Sequence, residues 1–68
     1  MIKVTAIKDT LVATDDLCVT FHKGDRVFVK NIRPTFLEAF TAADMLMTST
    51  YGIVSVDVTL ITNDWEEA

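Results

Sequence analysis

Apolar Ile2, Val4 and Ala6 alternate with polar Lys3 and Thr5 at the start of the chain. This is the period-two pattern of a strand with one buried face. Asp9-Thr10 and Ala13-Thr14-Asp15-Asp16 are polar and turn-like. Leu17, Val19 and Phe21 alternate again, and after Gly24-Asp25 the run Arg26–Ile32 is rich in β-branched and aromatic residues, the types that fit a pleated surface. Two such runs around Lys23-Gly24-Asp25 predict a hairpin or diverging turn. Gly24 suits a backbone angle that side chains resist. The clearest segment is the last. From Gly52 to Leu60, Val54, Val56, Val58 and Leu60 point one way and Ser55, Asp57 and Thr59 the other. One long strand is predicted there, with all four apolar side chains buried.

The middle of the chain reads differently. Thr35 and Glu38 have the three-residue spacing of a capping box. Phe36, Phe40, Ala43 and Met47 fall on one helical face, and the alanines, leucines and methionines of 37–47 are good helix formers. The direct reading is a short helix over 35–47; the alternative is a strand at 36–40 followed by a loop. The expected fold is therefore mostly β or α+β. It is a small barrel or twisted antiparallel sheet with one short helix, in a single domain spanning 1–68 that ends in a short acidic tail at 64–68.

Sixty-eight residues support only a thin core. One cysteine and one histidine provide neither an internal disulfide nor a closed zinc site, so stability must come from packing or self-association. No stretch has the basic and apolar regions of a signal peptide, and no apolar run approaches the roughly 18–20 residues that cross a bilayer. A lone thiol, Cys18, suits a reducing cytoplasm. Whether the chain is a whole gene product or a trimmed domain stays open. The net charge is −4, and Lys3, Lys8, Lys23, Arg26, Lys30 and Arg33 are scattered. Nucleic-acid binding draws on clustered bases, so neither nucleic acid nor membrane is an expected partner.

Asp15-Asp16-Leu17, Phe21 and Lys23-Gly24-Asp25 resemble the Src-homology-3 (SH3) family, whose domains carry an acidic loop, a Leu-x-Phe strand and a Lys-Gly-Asp/Glu diverging turn, although Cys18-Val19-Thr20 makes the Leu-to-Phe interval two residues longer here. Ala6-Ile7-Lys8-Asp9 is similar to the family's Ala-Leu-Tyr-Asp start. Phe36-Leu37-Glu38-Ala39 is similar to its Trp-Trp-x-Ala strand, and Gly52-Ile53-Val54-Ser55 to its Gly-Tyr-Ile-Pro. The resemblance is dense only in 15–29 and implies an SH3-like small β-barrel. It departs at the aromatic groove that receives proline-rich peptides. Lys8 and Thr10 stand at the tyrosine positions, Phe36 and Leu37 at the tryptophans, Ser55 at the proline and Val58 at the last tyrosine. The family also inserts a helical turn where this chain alternates without a break from 53 to 61.

No glycine-rich phosphate loop, metal signature or triad spacing appears. No catalytic, cofactor-binding or metal-binding residue is assigned, and an enzyme is not expected. Cys18 reads as a structural thiol and His22 as a turn residue. Partner-binding candidates are Asp15 and Asp16 as an acidic loop, His22 next to Lys23 in the hairpin turn, and Trp65, which either folds back as a lid on the core or projects as an anchor. Met45-Leu46-Met47 reads mainly as core. The expected function is non-catalytic binding to another protein, as a small accessory or regulatory factor of the kind that phages and cells encode. Alternatives are a divergent SH3 domain with an atypical peptide ligand, and a subunit that assembles with copies of itself.

Overall fold

The alternation at the start of the chain becomes strand β1 (Ile2–Ala6), followed by β2 (Thr10–Ala13), β3 (Cys18–Phe21), β4 (Arg26–Pro34), β5 (Phe40–Ser49) and β6 (Gly52–Ile61). A single 3-10 turn (Thr62–Asp64) then leads into β7 (Trp65–Glu67). This computed structural model describes residues 1–67. All strands join one antiparallel sheet in the order β3-β2-β6-β5-β4-β1-β7. The sheet is open: β3 and β7 are its edges. It curls enough for Phe21 of β3 and Trp65 of β7 to meet edge to face, with ring centroids 5.5 Å apart.

The inner face gathers Val4, Val12, Val29, Ala43, Met45, Val58 and Leu60 into the buried core. Ile2, Phe21, Val27, Ile32, Met47, Val56 and Trp65 pack around it. The β4–β5 register slips between the Val29–Met45 and Ile32–Ala43 pairs. Three residues of β4 thus span two of β5, the signature of a β-bulge. The bulge turns both Lys30 and Asn31 outward and brings Ile32 back to the core side.

One turn ties β1 to β3 and β4. His22-Lys23-Gly24-Asp25 closes with the Asp25 N–H on the His22 carbonyl at 3.0 Å. Gly24 has φ +94 there, in the left-handed region that glycine enters without a Cβ penalty. The end of β1 locks onto this turn: Gly24 N–H donates to the Ala6 carbonyl and Ala6 N–H to the Asp25 carbonyl, both at 2.8 Å.

The sequence expectations need correction in four places. The helix over 35–47 is absent: no α-helix is found among the described residues, and 40–49 is strand β5, paired along its length with β6. Thr10–Ala13, read as turn-like at both ends, is strand β2. Within the acidic tail at 64–68, Trp65–Glu67 pair with β1 as β7, and Ala68 lies outside the described residues. The long last strand holds, but only its second half is buried. Val58 and Leu60 are in the core, Val56 is half-buried, and Val54 is 41% exposed. The inward parity is right at all four positions. Beyond Val56, however, the β5–β6 hairpin runs past the core, so an inward-facing side chain has nothing to pack on.

Candidate functional site

The connection between β4 and β5 is built by one side chain. The Thr35 hydroxyl reaches the carbonyls of Leu37 and Phe40, each at 2.8 Å, and accepts the Leu37 N–H at 3.2 Å. The Phe40 N–H closes the turn on the Leu37 carbonyl at 3.1 Å. With the backbone bonded inward, Phe36 and Leu37 are left pointing into solvent. Phe36 is fully exposed and Leu37 mostly so. Phe40 begins β5 on the outer face of the sheet, opposite Ile61 of β6. Thr35, Phe36, Leu37, Phe40 and Thr59 line a shallow, mainly apolar concavity. On the far side of β6, the Val12–Leu60 pairing sets the half-exposed Leu11 next to Ile61. Leu11, Ile61, Phe40, Leu37 and Phe36 thus form a single apolar patch across three strands and a loop.

A charged network borders this patch on the same outer face. Two rows along the hairpin, Asp44 sits opposite Asp57, a like-charge pair that would be unfavourable alone. Arg33 resolves it, reaching Asp44 at 3.0 Å and Asp57 at 2.8 Å. Asn31, turned outward by the bulge, donates to Asp44 at 2.9 Å. The hydrogen bond from Asn31, then that from Arg33, holds the Asp44 carboxyl below its usual range. The hydrogen bond and charge of Asp44 in turn raise the Arg33 guanidinium.

A second polar cluster buries Thr10 and Asp64 beneath an exposed Lys8. Asp64, in the 3-10 turn, accepts the Thr10 hydroxyl at 2.7 Å and pairs with Lys8 Nζ at 3.1 Å. The Thr10 hydrogen bond, with Lys8 behind it, lowers the Asp64 carboxyl even though burial pushes the other way. Lys8 and Thr10, which the SH3 resemblance sets against two tyrosines, are engaged in this hydroxyl and ion-pair network. The other residues that the resemblance sets against groove positions do not converge on it. Val58 is buried in the core, Ser55 is exposed on β6, and Phe36 and Leu37 project from the β4–β5 loop.

The partner-binding candidates from the sequence are dispersed. Asp15 and Asp16 are exposed at the β2–β3 turn, which the Thr14 side chain organises by accepting the Asp16 and Leu17 N–H groups. His22 is exposed at the other end of β3. Its N–H donates to Asp25 Oδ2 at 2.9 Å, and its Nδ1 lies 3.8 Å from Asp9 Oδ1. Trp65 is half-buried against Phe21 and the core, and its indole Nε1 is buried without a hydrogen-bond partner. It occupies the folded-back position rather than a projecting one. Cys18 is free and exposed. The helical stripe of Phe36, Phe40, Ala43 and Met47 hides this apolar patch from the sequence, because one face of such a helix would pack on the sheet. One signal did point to it: two adjacent large apolar residues directly after Pro34-Thr35 cannot both face inward from an extended chain.

Comparison with protein-family models, with curated proteins and with solved structures finds no match to this chain.

Proposed function

We propose that the protein is a non-catalytic binding module, a small accessory or regulatory factor that docks on a larger protein through the patch of Leu11, Phe40, Leu37 and Phe36. The observation that carries this is the exposure of two phenylalanines and two leucines on one continuous face. Folding gains nothing from leaving them in water. Contiguous exposed apolar surface rimmed by polar groups characterises interaction sites, and aromatic side chains are preferred energetic anchors of interfaces. The Arg33–Asp44–Asp57 network supplies the polar rim.

Placing a photo-crosslinking phenylalanine analogue at position 36 tests this in lysate of the source cells. The expectation is a discrete adduct that is lost on Leu37→Ser and absent when the probe replaces Lys3, on the far strand β1. Equal labelling from both positions, or none from position 36, would sink the reading.

A divergent SH3-like domain with an atypical ligand is the second reading. It is favoured by the order of parts. An acidic turn at Asp15-Asp16 joins β2 to β3, and the Lys-Gly-Asp turn binds β1. A 3-10 turn follows β6 at Thr62–Asp64, later than the family pattern led one to expect. Titrating the chain's one tryptophan with proline-rich peptides tests it. Saturable micromolar quenching supports this reading, and no change at millimolar peptide rejects it.

A further inference from the structure

β6 is an interior strand of the sheet along only part of its length. Its last pair with β2 is Ala13–Thr59. From Gly52 to Val58 it pairs with β5 alone. The direction of its free groups follows from the register. Thr62 N–H bonds the Ala39 carbonyl at 2.8 Å, continuing the Thr41–Leu60 pairing, so even-numbered residues of this strand bond to β5. Hydrogen bonding alternates along an antiparallel strand. Ile53, Ser55 and Asp57 therefore turn their N–H and C=O groups away from β5, on the side where β2 has ceased to pair.

The usual protections of an exposed edge are lysine, proline, a bulge or a covering element. Between Gly52 and Ile61 there is no lysine, arginine or proline, the β5–β6 register is unbroken, and Asp57 is the one charge. The true edge strands β3 and β7 are short and are drawn together at Phe21 and Trp65. The β6 edge is instead long, extended and flanked by the exposed Ile53 and Val54.

We propose that a second copy of this chain pairs antiparallel with the Ile53–Asp57 edge, making one sheet continuous across two molecules. The edge is self-complementary. A two-fold axis normal to the sheet at Val54 or Ser55 opposes odd residues with odd residues, so the free groups meet and both copies keep their faces. Val54 then lies opposite Val54 or Val56 of the second copy, extending the inner apolar face beyond the present core. Neither register brings the two Asp57 carboxylates opposite one another. Because each copy carries −4, added salt strengthens the pairing by screening long-range repulsion. The surface is separate from the Phe36 patch, which lies at the Ile61 end of β6, so the two proposals fail independently.

Sedimentation equilibrium and residue-resolved amide exchange test this on the whole chain. In dilute protein, Val54 and Val56 amides are protected and those of Ile53, Ser55 and Asp57 exchange freely. With rising concentration the mass approaches that of a dimer and the three odd-numbered amides become protected in step. Ser55→Pro removes an N–H that the chain's own sheet does not use, and an edge tolerates proline. Ile53→Lys adds an edge-blocking charge at an exposed site. Each variant is expected to keep the circular dichroism spectrum and remain monomeric. Monomeric wild type at millimolar concentration overturns the proposal. So does a dimer that Ile53→Lys leaves intact, or one in which the odd-numbered amides stay unprotected.

Discussion

Asp64 shows how one residue ties remote segments together. It lies in the 3-10 turn before β7, yet its carboxylate is held by Lys8 of the β1–β2 connection and by Thr10 at the start of β2, and its carbonyl accepts the Ile7 N–H at 2.9 Å. The carboxyl is lowered in the folded state, first by the Thr10 hydrogen bond. A carboxylate lowered on folding contributes stability that is present above its unfolded pKa and is lost as pH falls through the folded one. Acid should therefore destabilise the protein below the ordinary carboxylate range. Asp64→Asn is expected to lower the neutral-pH Tm and flatten the acid decline, leaving the portion due to Asp44, which is lowered likewise. Thr10→Val should shift the decline to higher pH. Thermal melts across acidic pH check this, and an unchanged acid slope in Asp64→Asn would refute it. Burial sets the scale at apolar positions. Met45 is fully buried, so Met45→Ala should cost about 2–5 kcal/mol, comparable to the ~3–5 kcal/mol that so small a core supplies. Val54→Ala, on the overhanging half of β6, should stay within about 0.5 kcal/mol in dilute protein. Urea unfolding of the pair measures the contrast. Equal costs would mean that the hairpin tip packs on the core after all.

Among the elements, β1, β3 and β6 were legible because alternating burial writes itself into alternating polarity, and β4 because its β-branched and aromatic residues suit a pleated surface. β5 was not. Its residues carry high helix propensity, and Phe36, Phe40, Ala43 and Met47 satisfy a helical stripe. Yet Ala43, Met45 and Met47 satisfy the inward positions of a strand equally well. Propensity is a weak prior of tenths of a kcal/mol per residue. Hydrogen-bonded neighbours on both sides, β4 and β6, decided the outcome, and neither could be read from local sequence. The same error hid the candidate site, since a helix would have buried Phe36. The Lys-Gly-Asp turn was legible for a physical reason that can be measured. A Cβ at Gly24 would meet nothing within 4 Å, so substitution there is opposed by the backbone angle alone. Gly24→Ala is expected to cost roughly 1–2 kcal/mol, and D-alanine at the same position in synthetic protein should cost little or stabilise. Equal destabilisation by both enantiomers would show that space, not the left-handed angle, demands glycine.

At the scale of the whole molecule, an open sheet must hide two edges, and here the closure is made by side chains. β3 and β7 exchange no backbone pairing; Phe21 and Trp65 bridge them. β7 has only three residues, and its pairing with β1 is backed by Trp65 on the core. Residues that composition marked as a tail therefore secure one edge of the fold. What the sequence lacked was the distance information: nothing local links position 21 to position 65. If the bridge holds the curl, Trp65→Ala should cost about 3–5 kcal/mol, enough to unfold most of the population. Trp65→Phe should recover a large part of the loss by keeping a ring against Phe21. Phe21→Ala, leaving Trp65 in place, should open the same seam and move the tryptophan emission toward that of a solvated indole before the sheet melts by circular dichroism. Near-native stability in Trp65→Ala would mean that β1, β4, β5 and β6 stand without the seam. β7 would then be an attached strand rather than part of what holds the sheet in its curl.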